Sequence, residues 1–357
     1  MKLQNPKLEY RGKLEDYPLE NYPDYRPGKL PDTEASAEIP YLDEVERIWG
    51  KKWGNQGLGT LREVALTRPP EIEFSPLWER DLDYYLLKQP LNRDRMFKAY
   101  ETYEAVFKSE GVKVHWMEID NPMGAYGPMR NNFMGSALVV NGGAVLARYG
   151  YSSWVRGRNW NYQKFFAKIG CPILYMVHGT GILEPAVWVA GADDVIFGNR
   201  GASANDDGIE QVTPVLHRSG YREVVIGSST ILYENFASAG EFHMDMVLGF
   251  ADLGIALIYP GHLDYRVFKW LKDHRFRIIE IPPDEQAAYY PANLIVLKPG
   301  RVIVPAGAKK TIKKLKEAEV EVIDLETGPF HTGINGLRCV TLPLVRDAGP
   351  KIDDWDG

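Results

Sequence analysis

The run Asp206-Asp-Gly-Ile-Glu-Gln-Val-Thr-Pro-Val-Leu-His-Arg-Ser-Gly-Tyr-Arg-Glu-Val-Val-Ile226 sets the plan of the chain. It reads as a helix over 206–218, a stop at Ser219-Gly220 where glycine takes the left-handed conformation that ends a helix, and a β-branched strand over 223–226. Two short apolar runs follow, 246–250 and 255–259, joined by a turn that signals a hairpin. The plan recurs with a period of about 50 residues, as in stacked or closed arrays. Helices are predicted over 95–110, 160–169, 263–274 and 309–318, each followed at once by a strand, at 112–119, 172–177, 276–281 and 320–324. Hairpins are predicted for 133–140 with 144–148, 186–189 with 195–197, and 294–297 with 301–304. A fifth hairpin needs both ends of the domain, 60–66 with 340–345. That pairing closes a ring of modules and removes the sheet edges an open array would expose.

Composition agrees with one catalytic domain over 46–357. The chain has 357 residues, is 45% hydrophobic and carries a net charge of −6. It has no basic run that would suit nucleic acid and no apolar stretch long enough to span a bilayer. The lysines of 309–316 sit at the spacing of a solvated helix face. Residues 1–11 are polar and charged, without a signal-peptide pattern, which points to the cytoplasm. Residues 1–45 interleave Pro6, Pro18, Pro23, Pro27, Pro31 and Pro40 with tyrosines. They read as an extended arm that packs along the domain or a partner subunit, which leaves a homo-oligomer through the arm open. Two cysteines are too few for a disulfide framework or a thiolate zinc site.

Equivalent points of the plan carry polar residues: Asn131, Glu184, His243 with Asp245, Asn293 and Cys339. In a closed ring these positions converge. A lone cysteine is usually a small buried hydrophobe, but a glycine-bearing loop delivers Cys339 to the start of a strand, where a side chain can face a cleft. Cys171, in Ile169-Gly-Cys-Pro-Ile-Leu-Tyr, has no polar company and reads as structural. A nucleophilic thiol needs an acid or base. His243 is the first choice, because in an extended segment His243 and Asp245 point to one side; His178 and His331 are the alternatives. A thiol, an imidazole and carboxylates, without a metal motif, a phosphate-binding glycine loop or a call for any cofactor, suit nucleophilic attack on an electrophilic carbon. Glu184 and Asp245 favour a cationic substrate, since carboxylates recognise planar guanidinium through paired hydrogen bonds.

These residues resemble a known family. Arg338-Cys339-Val-Thr-Leu-Pro-Leu-Val-Arg346 looks like the C-terminal active-site segment of arginine deiminases, and His243-Met-Asp245 looks like their His-x-Asp segment. Gly181-Ile-Leu-Glu184 and Met129-Arg130-Asn131 are similar, more loosely, to their Leu-Glu-Gly-Gly and Arg-Asp stretches. The resemblance spans 58–348 and implies the guanidino-group modifying superfamily, whose pentein fold is a five-bladed α/β propeller of pseudo-fivefold ββαβ modules. By position it implies Cys339 as nucleophile, His243 as acid and base, and Glu184 and Asp245 as holders of the cation, with Asn131, Arg130 and Arg200 as further substrate contacts. Asn131 replaces the family's aspartate, which leans toward the dihydrolase branch and a ureido group. Ile334 and Ala202 stand where the deiminases place arginines for a substrate carboxylate, leaving Arg200, Arg156 or Arg158 to compensate. Pro185 breaks the usual glycine pair. Three expectations follow: a cysteine hydrolase of a small guanidino or ureido compound, an amidinotransferase using the same thiouronium intermediate, or a non-catalytic binding protein on the same fold.

Overall fold

The computed structural model describes residues 13, 15, 18–22, 24–32, 34, 37–54, 57–67, 69, 74, 76–85, 87–119, 123–124, 127–128, 137–150, 157–229, 243–332, 335–355 and 357. Contacts divide the chain into residues 1–51 and 52–357. In the first unit the helix Tyr41–Trp49 starts directly after Pro40 and ends at Gly50, in the left-handed region at φ 78°. The arm was expected to be extended through residue 45. The helix begins four residues or so earlier because proline constrains the residues before and at its own position but leaves the chain after it free to coil.

In the second unit the predicted modules are present. Its strands are β1 (Leu61–Thr67), β2 (Lys113–Met117), β3 (Met123–Gly124), β4 (Gly127–Pro128), β5 (Ala137–Val140), β6 (Gly143–Leu146), β7 (Ile173–Met176), β8 (Val189–Ala192) and β9 (Val195–Arg200). They continue as β10 (Glu223–Ser228), β11 (Leu248–Asp252), β12 (Ile255–Ile258), β13 (Arg277–Glu280), β14 (Ile295–Lys298), β15 (Arg301–Pro305), β16 (Glu321–Leu325) and β17 (Leu342–Arg346). Among the described residues they form five three-stranded sheets, β5-β6-β7, β8-β9-β10, β11-β12-β13, β14-β15-β16 and β17-β1-β2, besides the two-stranded β3-β4. In each three-stranded sheet an antiparallel hairpin is extended by a parallel strand. Parallel pairing needs a crossover, and the helices Arg93–Ser109, Asn159–Ile169, Asp206–Arg218, Tyr265–Asp273 and Lys309–Glu317 supply it. The fifth sheet draws β17 from the C-terminal end and β1 from the start of the unit, as the sequence predicted. Gly111, Gly170 and Gly220 after the first three of these helices all have positive φ, the left-handed stop expected of them.

Burial is graded across each sheet. The first strands, such as β5 and β17, are buried almost throughout, whereas the third strands β7 and β13 are largely exposed or half-buried. The first strands β8, β11, β14 and β17 line one cavity of about 50 Å³, reached also by Arg338 and Arg346.

Three expected strands begin later than predicted. The segment 186–189 opens with the 3₁₀ turn Pro185–Val187, and 246–250 with the helical turn Met244–Val247; 340–345 starts only at Leu342, after the 3₁₀ turn Arg338–Val340. A proline with no N–H to give the ladder starts the first turn. The helix Pro283–Tyr289 was not foreseen; its leading prolines suit a first turn, whose N–H groups lack intrahelical partners anyway. From it the buried Glu285 accepts from the Lys310 and Thr311 N–H groups, at 2.6 and 2.9 Å, capping the helix Lys309–Glu317 that has alanine at its own cap position. Among the described residues no helix is long and apolar enough to cross a membrane.

Candidate active site

Among the described residues, Glu184, His243, Asn293 and Cys339 of the repeat sit just ahead of the buried first strands. Glu184 precedes the 3₁₀ turn before β8, His243 caps the turn before β11, Asn293 lies just before β14, and Cys339 is within the 3₁₀ turn Arg338–Val340 before β17. A turn at that point aims a side chain off the sheet end while the strand behind it is fixed by core packing. Glu184 is held further by its N–H, which donates to Ser203 O at 2.9 Å.

Glu184 and His243 meet: Glu184 Oε2 lies 2.8 Å from His243 Nε2, and the carboxyl is fully buried. Burial pushes the Glu184 carboxyl up, and the hydrogen bond and charge of His243 pull it back. Asp245 takes a different partner. Arg338 Nη1 donates to its Oδ2 at 2.9 Å, and Arg338 Nη2 donates to Trp188 O at 2.8 Å. The two carboxylates expected to hold a cationic group are therefore each engaged within the protein. His243 and Asp245 do not share the one extended segment expected of them, since Asp245 lies in a helical turn and only His243 is extended. They share a site through that turn instead: Met246 N–H donates to His243 O at 3.2 Å, and Met246 Sδ lies 3.6 Å from Cys339 Sγ.

Cys339 is 9% exposed, and burial pushes its thiol above the usual range, with Asp245 adding to the effect. The Gly336 backbone, the Arg338 guanidinium and the Asn293 amide oppose that push. These surroundings raise the Cys339 thiol on balance, the opposite of the lowered thiol that a cysteine beside a histidine suggests.

Other expected residues lie apart. Arg200 is exposed and paired with Asp206. His178 is exposed, its ring 3.1 Å from the Tyr175 hydroxyl and its N–H donating to Gln211. His331 is buried against Tyr290, its Nε2 2.7 Å from Thr327 Oγ1, and burial with nearby Lys88 lowers it to about 3. Cys171 is buried, its sulfur 3.6 Å from the Pro172 carbonyl oxygen. Arg158 is buried beside Glu184, whose carboxyl its charge lowers, and over the Tyr149 ring. Asn131, Arg130, Arg156 and Ile334 lie outside the described residues. Among the described residues no group of three His, Cys, Asp or Glu side chains could hold a metal ion.

The arginine deiminase family matches residues 258–346, which contain Cys339 and its turn. Folds agree over most of the chain as well: the N-terminal domain of ArgZ, an arginine dihydrolase from Cyanobacteria, superposes with a TM-score of 0.64 at 16% identity, over 78% of this chain and 96% of its own. These similarities support the guanidino-group modifying superfamily. SxtG, an amidinotransferase from Microseira wollei, superposes with a TM-score of 0.64 at 18% identity, over 83% of this chain and 97% of its own. Among relatives in sequence, a 2-nitroimidazole nitrohydrolase of Mycobacterium sp. (strain JS330) is 26% identical over 95% of this chain and 94% of its own length. An N(G),N(G)-dimethylarginine dimethylaminohydrolase of Pseudomonas aeruginosa is 26% identical over 42% of this chain and 51% of its own.

Sequence reading missed two partners in this site. Arg338 stood beside Cys339 in the quoted string, but its reach to Asp245 spans 93 residues of sequence and has no local signal. Met246 looked like strand filling, and only the turn Met244–Val247 brings its sulfur to Cys339.

Proposed function

We propose that the protein is a cysteine-dependent hydrolase of a C–N bond in a small guanidino or ureido compound, built on a closed five-bladed propeller. The observation that carries the reading is the Glu184–His243 pair at 2.8 Å, one turn from the Met246 sulfur that touches Cys339. With Nε2 committed to the carboxylate, the imidazole is oriented to exchange protons through Nδ1. His243 takes the proton of the neutral thiol as Cys339 Sγ bonds to the guanidino carbon, and passes it to the departing amine as the C–N bond breaks. Water then gives a proton to His243 and its oxygen to the carbon. The C–S bond of the thiouronium breaks and the proton returns to sulfur. An amine in place of that water turns the same pathway into amidino transfer.

A second reading is favoured by the nitrohydrolase relative, which matches over 95% of this chain. Sulfur would attack the amidine-like carbon of a nitro-substituted heteroarene and expel nitrite, and water would replace sulfur to leave a carbonyl. The two readings differ only in the leaving group, so one assay separates them. Turnover of guanidino and ureido compounds with stoichiometric ammonia or amine favours the first; nitrite from a nitroimidazole favours the second; release that stalls until an acceptor amine is added favours transfer. A haloacetamidine probe should label Cys339, and the label should vanish in Cys339→Ala. Absence of labelling in the native protein, with no turnover of any of these compounds, would sink all three.

A further inference from the structure

Asn293 looks at first like a residue that steadies its own module. It is fully buried between the helix Pro283–Tyr289 and β14. Its side chain, however, reaches out of that module in both directions. Oδ1 accepts from the backbone N–H groups of Arg338 and Cys339, at 2.7 and 3.1 Å. Nδ2 donates to the backbone carbonyl of Asp245 at 3.3 Å. Arg338 N–H also lies 3.3 Å from the Asn293 carbonyl. One amide thus joins the turn of the cysteine to the turn that begins at His243. Gly336 makes the fit possible, because a Cβ there would lie 2.3 Å from Asn293 Oδ1.

We propose that Asn293 is a positioning residue for the nucleophile, which holds the Cys339 turn in register with the His243–Asp245 turn so that sulfur and imidazole face one reacting carbon. The proposal rests on the hydrolase reading above for what is positioned, but its geometry is independent of the substrate. The residue type follows from the contacts. Two backbone N–H groups require an acceptor and a backbone carbonyl requires a donor, and a primary amide is the short side chain that offers both. Aspartate would keep the two N–H contacts, lose the third, and add a negative charge beside a sulfur that must become anionic as it attacks. Alanine would leave two buried N–H groups without that acceptor.

The test reads the thiol directly. In Cys171→Ser protein, where Cys339 is the remaining cysteine, the rate of iodoacetamide alkylation is followed against pH for Asn293, Asn293→Asp and Asn293→Ala. The aspartate variant is expected to move the alkylation profile to higher pH and to slow labelling at pH 8 about tenfold. With a turned-over substrate, both variants are expected to lower kcat about 10- to 100-fold, as loss of alignment does, while KM changes by less than about threefold. Alkylation needs no substrate, so a failed search for substrate overturns the hydrolase reading and leaves this result standing. Folded variants, judged by native-like unfolding, whose alkylation profiles superimpose on that of the parent would overturn the proposal. Asn293→Ala carries the comparison should Asn293→Asp not fold, since it opens a small hole without adding a charge.

Discussion

The two cysteines of this chain are both buried and both enter a strand, yet their surroundings differ in kind. Cys171 follows the helix Asn159–Ile169 and leads into β7, where its sulfur lies 3.6 Å from Pro172 O, a local backbone carbonyl. Cys339 lies among the Asn293 amide, the Gly336 backbone, Arg338, Asp245 and the Met246 sulfur. Burial alone therefore does not tell a core thiol from a candidate nucleophile. What marks Cys339 is that polar groups from other segments converge on its sulfur.

The strongest test of that contrast is removal of each sulfur. Cys339→Ala should abolish turnover, a loss of about 10⁴-fold or more, while Cys171→Ala should leave kcat within about twofold. Equal losses in steady-state assays would erase the distinction. Next comes the convergence itself. His243→Ala should lower kcat by about 10²–10⁴-fold, the range for a lost acid–base group, and Glu184→Gln should act in the same direction by less, because it disorients the imidazole without removing it. A Glu184→Gln enzyme with an unaltered pH–rate profile would break the link between the two. Arg338→Met should destabilise the fold by about 3–5 kcal/mol in urea titration, since it strands the buried Asp245 carboxylate. A cost below about 1 kcal/mol would show that Asp245 finds another partner.

The thiols themselves give a smaller effect. Because burial and Asp245 raise the Cys339 thiol, it should alkylate at pH 7 about tenfold more slowly than a free cysteine peptide, and accelerate at high pH. Labelling faster than the peptide would indicate a resting thiolate. The last test sets His243 against His331, which lies nearer the cysteine in sequence but is buried against Tyr290 and Thr327. Its folded pKa is depressed from 6.5 to about 3, so the stability it contributes is present above pH 6.5 and is lost as pH falls toward 3. His331→Gln should flatten stability against pH in that window, by at most about 1.4 kcal/mol per pH unit. An unchanged slope would mean that His331 is already accessible to protons in the folded state.

Much of the fold was legible because each module is local. Helix, glycine stop and strand follow one another within about 20 residues, and Gly111, Gly170 and Gly220 mark the joins. Pairing of β1 with β17 followed from elimination, as the one hairpin left without a neighbour in sequence. The boundaries at Pro185 and Met244 were missed because apolar runs of that length do not distinguish a turn from a strand. The helix Pro283–Tyr289 was missed because it is short and stands outside the repeat.

The sequence by itself determined the five modules and the points in them that carry polar residues, since these follow from local periodicity and residue chemistry. Tertiary structure alone decided who binds whom. Glu184 could have held a substrate cation or His243, and Asp245 could have held the same cation or Arg338; those choices rest on distances between turns 59 and 93 residues apart. No local pattern encodes them, because hydrogen-bond partners across modules are fixed only when the packed cores behind each turn set its position.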